Sequence, residues 1–272
     1  MTELKDLFML CESSQDEKEL IAFDRTRFKA NIKYDGERVM AMKKGDSVIL
    51  FNRRGNIVTE KFSEVVSAVK NIQHDFIIDG EVISHDGIFN NLQRRALTKD
   101  KNKIAKLEKE IPVKFMAFDI IILDNKSLMN EDLEQRLMIL SSIINDNEFL
   151  ELVEYGEIDD MLNRVIEQNG EGIVIKDMKG NYENKRSKSW LKHKLFKEQV
   201  ITITAFTDNP AGVRATDNEG NVVQVSGHHA NTLKEVMQVR GYAEVNVQYL
   251  SKGKDGRMRF PSYRGIANEV SV

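Results

Sequence analysis

The chain has 272 residues, 41% hydrophobic and 31% charged, with a net charge of −3, a balance that suits a soluble globular protein with room for one large and one small domain. Its single cysteine, Cys11, excludes an intramolecular disulfide, and no Cys/His cluster has zinc spacing. The first six residues carry both signs of charge without a sustained apolar run, which speaks against a secretory signal or membrane anchor and points to a cytoplasmic protein.

Residues 1–25 are rich in Glu, Asp and Ser around Leu7, Phe8 and Leu10 and predict a short helix and a loop. Phe28-Lys29-Ala30-Asn31-Ile32 predicts a strand, with Lys33-Tyr34-Asp35-Gly36-Glu37-Arg38 at its mouth, where Gly36 permits a sharp turn. A lysine there, with an arginine five residues on, suits a nucleophile beside a phosphate clamp. The amine attacks only when neutral, and nearby cations, a metal included, would lower its pKa from roughly 10.4. The same six residues equally suit a solvated turn between strands. Residues 38–42 and 47–51 predict a hairpin, and the next turn, Asn52-Arg53-Arg54-Gly55-Asn56, carries two arginines. Phe62, Val65, Val66 and Val69 recur at helical spacing and predict a core-facing stripe.

Phe76-Ile77-Ile78-Asp79-Gly80-Glu81-Val82-Ile83 predicts an apolar strand with Asp79 and Glu81 on one face. An acidic pair in so apolar a strand needs a metal or cationic partners. Residues 94–109 form a basic run from Arg94-Arg95 to Lys106, a pattern that usually marks a solvated face. Residues 113–123 predict a long strand whose Phe115 and Phe118 fall on opposite faces. Leu133, Leu137, Leu140 and Ile144 mark one helix, and Met161, Leu162, Val165 and Ile166 another that stops at Asn169-Gly170. In Glu171-Gly172-Ile173-Val174-Ile175-Lys176 the two isoleucines face one way and Lys176 the other.

Residues 185–197 hold Lys185, Arg186, Lys188, Lys192, Lys194 and Lys197 and no acidic residue, with Trp190 and Phe196 interleaved. If 190–196 is a strand, Lys192 and Lys194 share a face. Such a strand suits phosphate, or equally a sheet edge protected by lysines. Beyond Glu198, short alternating runs at 199–207, 221–226 and 242–250 surround a helical segment near 230–239. This pattern predicts a small Greek-key barrel of the OB type, with a domain boundary near 196–199.

Taken in order, Lys33-Tyr34-Asp35-Gly36-Glu37-Arg38, Asn52-Arg53-Arg54-Gly55, Asp79-Gly80-Glu81, Phe118-Asp119, Glu171-Gly172-Ile173-Val174-Ile175-Lys176 and Trp190-Leu191-Lys192-His193-Lys194 resemble the ordered motifs of covalent nucleotidyltransferases, specifically ATP-dependent DNA ligases. The resemblance covers residues 30–266. It implies an α+β fold: an adenylation domain with antiparallel sheets, ATP-grasp-like, over 1–197, and an OB-fold β-barrel over 198–272. It implies that Lys33 attacks the α-phosphorus of ATP, expels pyrophosphate and holds AMP. The AMP then passes to the 5′-phosphate of nicked double-stranded DNA, and the 3′-hydroxyl displaces it.

By the same resemblance Arg38 and Arg53 contact the nucleotide and the nick phosphate. Asn31 and Ile32 meet the adenine edge, and Phe118 stacks on adenine. Glu81 lies near the ribose and, with Glu171, near the metal, Mg2+ or Mn2+. Lys176, Lys192 and Lys194 hold the α-phosphate. Arg53, Arg94, Lys188 and Arg259 fall in segments implied to touch DNA. Arg257-Met258-Arg259-Phe260-Pro261-Ser262-Tyr263-Arg264-Gly265-Ile266 resembles the last ligase motif, although Ala267 stands where many relatives have an arginine that orients pyrophosphate. Arg264 is the candidate substitute. The length resembles minimal viral, phage and bacterial ligases acting as monomers. The rival readings are an RNA ligase or an mRNA-capping guanylyltransferase, and a non-catalytic nucleic-acid binder.

Overall fold

The hairpin expected from alternation forms one edge of the larger sheet, and the acidic strand forms its centre. A computed structural model of the chain, which describes residues 3–14, 20, 22–253 and 255–267, divides into two units, Met1–Lys194 and Leu195–Val272. The first unit contains β1 (Leu10–Ser14), β2 (Phe28–Ile32), β3 (Glu37–Lys44), β4 (Ser47–Asn52), α1 (Ser63–Lys70), β5 (Phe76–Ser84), α2 (Phe89–Leu97) and α3 (Lys101–Glu110). It continues with β6 (Val113–Leu123), β7 (Lys126–Ser127), α4 (Leu133–Ile143), β8 (Leu150–Leu152), α5 (Ile158–Glu167), β9 (Gly172–Asp177) and β10 (Arg186–Lys194). One sheet runs β4-β3-β5-β6-β7, with β8 beside β6, and the other runs β1-β10-β9-β2.

Successive side chains leave a strand on opposite faces, so the larger sheet feeds two cores. Val39, Ala41, Leu50, Ile78, Val82 and Phe115 pack against Val65 and Val69 of α1, Leu92 of α2 and Leu140 of α4. Met40, Phe51, Ile77, Met116 and Phe118 point the other way and join Phe8, Met9, Tyr182 and Trp190.

A bulge in β6 sets the position of Phe118. Asp79 lies opposite Asp119 and Gly80 opposite Ala117, so Phe118 is the extra residue in the ladder. Its neighbour Asp119 is fully buried and paired with the equally buried Arg136 of α4, Nε to Oδ1 at 2.7 Å and Nη2 to Oδ2 at 2.9 Å. Arg136 Nη1 also donates to the carbonyls of Glu131 and Gly180.

Several local expectations change. The N-terminal stretch read as a helix and a loop holds a four-residue 3-10 helix, Leu4–Leu7, and the strand β1, which pairs in parallel with β10. Cys11, Glu12, Ser13 and Ser14 hide that strand, because pairing rather than apolar alternation fixes it. The basic strand starts at Arg186 and ends at Lys194, leaving Phe196 outside it and exposed. Arg95, read as part of a solvated run, is fully buried on Glu64 of α1, with Nη2 to Oε2 at 2.5 Å. Gly36 is required by crowding rather than by a turn: a Cβ there would overlap the Val82 carbonyl oxygen, and its φ is not left-handed.

The second unit contains β11 (Lys197–Asn209), β12 (Gly212–Asp217), β13 (Val222–Val225), α6 (Gly227–Arg240), β14 (Ala243–Tyr249), β15 (Ser251–Lys252), β16 (Met258–Arg259) and β17 (Ser262–Ile266). Its sheet runs β13-β12-β11-β14-β17, antiparallel throughout. Along β14 the buried Ala243, Val245, Val247 and Tyr249 alternate with the more exposed Glu244, Asn246 and Gln248. The buried face meets Ala230, Leu233 and Met237 of α6. The strand β12 was not among the runs read from the sequence.

Candidate active site

Within the first unit lies a cleft of about 770 Å³, lined by Asn31, Ile32, Lys33, Arg38, Arg53, Glu81, Phe118, Lys176, Lys192 and Lys194. Ten positions picked from the sequence therefore share one concavity. β2 runs directly into Lys33, whose N–H donates to Gly172 O at 2.9 Å and ties the lysine to the mouth of β9. Gly172, with φ 147, packs against the backbone of His193 and Lys194 where a Cβ would clash. That contact brings Glu171 into reach of two lysines.

Glu171 Oε2 meets Lys33 Nζ at 2.9 Å and its Oε1 meets Lys194 Nζ at 2.8 Å. Burial would raise the Glu171 pKa, but Lys33 and Lys194 outweigh it and hold the carboxylate below its ordinary value. Burial likewise would lower Lys33, yet Glu171 and then Glu81 raise it. This reverses the expected effect of nearby cations on the lysine. The sequence showed Arg38 and the basic strand, whereas the group in contact with the amine is a carboxylate distant in sequence. Burial pushes Glu81 itself up to about 8, and Glu171 is the carboxylate whose oxygen contacts the Lys33 amine.

Arg38 lies opposite Glu81 across the β3/β5 ladder. Its guanidinium grips Asp79, Nε to Oδ1 at 3.0 Å and Nη2 to Oδ2 at 2.6 Å, and Nη1 donates to Met9 O at 2.7 Å. Tyr182 Oη donates to Asp79 Oδ2 at 2.7 Å. Asp79 thus has the cationic partner that its apolar strand demanded. Arg38 also sits 5.4 Å from the centroids of Phe118 and Trp190 and forms part of the cleft floor.

Lys176 is buried in the same aromatic floor. Its Nζ lies 4.3 Å from the Phe118 centroid and 4.0 Å from that of Trp190, and donates to Tyr155 Oη at 2.7 Å. Tyr155 Oη in turn donates to Phe118 O at 2.8 Å. Burial lowers Lys176 to about 8, while Asp119 opposes the shift. Because the folded value is depressed, the cost of burying the ammonium is fully present below about 8. It is relieved as pH rises toward the unfolded value of 10.5. Lys176→Met is therefore expected to stabilise the fold at pH 7 by about 3 kcal/mol and to lose that advantage near pH 10.5. Urea unfolding of both proteins at pH 7 and pH 10 checks this.

Asn31 is buried, and its Oδ1 has no hydrogen-bond partner among the described residues. Arg53 is exposed on the loop after β4. Arg94 lies outside the cleft, beside Thr98, Lys103 and Lys106 in a shallow surface depression. Lys188 is exposed on β10 outside the cleft lining. Arg259 and Arg264 belong to the second unit, where Arg259 donates to Ser251 Oγ at 3.4 Å and Arg264 to Gln248 Oε1. Of the further lining residues, the sequence reading quoted Glu37, Val174, Arg186 and Trp190 within its motifs and basic strand without giving them a site role, and did not pick Leu10 or Cys11 for the site. For Val174 a signal existed, since it shares a face of β9 with Lys176. For Leu10 and Cys11 none did.

Residues 8–194 match the family model described as ATP dependent DNA ligase domain. Among curated proteins the chain is similar to DNA ligase 1 of Methanosarcina barkeri, 34% identical over 185 residues, which cover 61% of this chain and 34% of that protein. It is also similar to DNA ligase 2 of Thermofilum pendens, 30% identical over 212 residues, covering 74% and 35% respectively. The chain thus spans about a third of the length of the curated relatives it matches. Among solved structures, a mycobacterial DNA ligase D complexed with ATP and MES superposes with a TM-score of 0.62 at 19% identity, over 98% of this chain and 97% of that one. A Lig E DNA ligase, described as binding DNA with a minimal scaffold, gives 0.68 at 18% identity over 96% and 99%. These two share the fold.

Proposed function

We propose, from the premise that this chain belongs to the ATP-dependent DNA ligase domain family, that it seals 3′-hydroxyl/5′-phosphate nicks in duplex DNA through a lysyl-AMP intermediate. The observation that carries this reading is the amine of Lys33, held on Glu171 beside Lys194 at the mouth of a cleft floored by Phe118, Trp190 and Lys176. In the proposal the Lys33 amine gives its proton to Glu171 or solvent and forms a bond to the α-phosphorus of ATP as pyrophosphate leaves. The 5′-phosphate of the nick then takes the adenylate from Lys33. Finally the 3′-hydroxyl displaces AMP and closes the backbone.

Asn31 and Ile32 would meet the adenine edge, where the unpaired Asn31 Oδ1 suits the exocyclic amine of adenine. Phe118 and Val174 would enclose the ring. Lys176, Lys192 and Lys194 would stand near the α-phosphate, with Arg38 fixing the floor beneath it. Arg53, Arg94, Lys188 and Arg259 are the proposed DNA contacts, and Arg264 the proposed partner of pyrophosphate. The adenylation role is assigned to residues 1–197, and an OB barrel to 198–272 on the strength of its strand order and single long helix.

No group of three or more His, Cys, Asp or Glu that would hold a metal occurs among the described residues. In the proposal Glu81 and Glu171, the two carboxylates whose charges act on Lys33, would supply oxygen ligands to a magnesium or manganese ion, with phosphate and water oxygens completing its shell. Such an ion would neutralise charge on the phosphates. No helix of the described residues is long and apolar enough to cross a membrane. A cytoplasmic monomer is part of the proposal.

Incubation with α-labelled ATP, magnesium and nicked DNA tests the reading. Label should appear on Lys33 from ATP and not from GTP, and sealing should favour nicked DNA over nicked RNA. Label from GTP alone, or protein that binds DNA without taking label, would overturn it.

A further inference from the structure

Glu37, the residue before Arg38, lines the cleft with Asn52, Arg53 and Arg54 and has no part in the steps above. Its Oε1 accepts from Asn52 Nδ2 at 2.8 Å, whereas Oε2 is buried without a hydrogen-bond donor among the described residues. Asn52 closes β4 opposite Val39. Its side-chain oxygen accepts from the backbone N–H groups of Arg54 and Asn56, each at 3.1 Å. Its main chain binds the same loop, since Asn52 N–H donates to Asn56 O at 2.9 Å and Gly55 N–H to Asn52 O at 2.8 Å.

The amide of Asn52 has one orientation compatible with these partners. Flipped, it would set its amino group against two N–H donors and its oxygen against a carboxyl. Glu37 therefore locks Asn52, and Asn52 shapes the loop on which Arg53 and Arg54 stand exposed. The anchor is itself rigid, because the adjacent Gly36 is pressed against Val82 and Glu81 of β5.

We propose that Glu37 is a positioning residue for the DNA steps: through Asn52 it fixes where the Arg53 guanidinium meets the 5′-phosphate of the nick. This rests on the nick-sealing reading above. An arginine that clamps a phosphate must be placed before the substrate arrives, and a misplacement of about 1 Å costs roughly a hundredfold. The Lys33 amine itself hangs on β2 and β9 rather than on β4, so the loop bears on lysine adenylation only through Arg53's contact with the nucleotide.

Single-turnover sealing by protein already carrying AMP is compared with the rate of Lys33 labelling by ATP. Glu37→Ala should slow sealing about ten- to a hundredfold and slow labelling by no more than about fivefold. Glu37→Gln keeps an acceptor for Asn52 Nδ2 and should stay within about threefold on both. In an Arg53→Ala background, Glu37→Ala should add no further loss, since its effect passes through the missing guanidinium. Equal slowing of labelling, multiplicative losses with Arg53→Ala, or a glutamine variant as damaged as the alanine one would each overturn the proposal. A parent protein that takes no label would sink the nick-sealing reading and this one together. A labelled parent with multiplicative variants sinks this one alone.

Discussion

Lys33→Ala is expected to take no label from α-labelled ATP, a loss of about a thousandfold or more, while still closing nicks that already carry a 5′-adenylate. In the nick-sealing proposal the loss is large because, among the described residues, no neighbouring amine stands ready to replace Lys33 as the nucleophile. Lys194 is the nearest candidate by contact, and it is held on the other oxygen of Glu171. Lys176 has a depressed pKa of about 8, but its amine is enclosed by Phe118, Trp190 and Tyr155. The retained closing of adenylated nicks follows because the last displacement uses the 3′-hydroxyl and needs the cleft, not the Lys33 amine. The variant should fold, since Glu171 keeps Lys194 as a partner. Denaturing gels report the label, and synthetic adenylated nicks report the last step. Label on the alanine variant would remove Lys33 from the chemistry.

Arg136→Met is expected to destabilise the protein by about 3–5 kcal/mol, the usual cost of leaving one member of a buried ion pair alone. Asp119 and Arg136 are both fully buried, and the aspartate loses both of its charged hydrogen bonds when the guanidinium goes. Two carbonyls, Glu131 O and Gly180 O, lose a donor as well. Replacing both partners, Asp119→Leu with Arg136→Met, should recover much of the loss, because no uncompensated charge then remains. Urea unfolding of the single and double variants measures this. A single variant within 1 kcal/mol of the parent, on the order of an exposed pair, would show that the pair carries little of the fold.

The strands that carry the cleft were legible because their chemistry breaks an otherwise apolar alternation. Asp79 and Glu81 on β5, and Lys192 and Lys194 on β10, announce a polar face inside a sheet by their spacing alone. In the second unit the run read at 242–250 was legible from plain alternation, which β14 keeps. The buried arginines were not. Arg95 stands in a basic run and Arg136 in an amphipathic helix, where charge normally means solvent, and only Glu64 and Asp119 across the fold reverse that rule. The pKa of Lys33 was hidden likewise, because its controlling carboxylate is brought in by β9. The strand β1 had no alternation to read, being defined by the neighbour it pairs with.

The pairing of β1 and β2 also sets an order of events as the chain is made. β1 lies on β10 and β2 on β9, so segments near the N-terminus wait for partners that leave the ribosome last within this unit. The hairpin of β3 and β4, and β5 beside them, can settle much earlier from nearby sequence. The cleft therefore comes into being only at the end of the unit's synthesis, when distant segments of the same unit are sewn together.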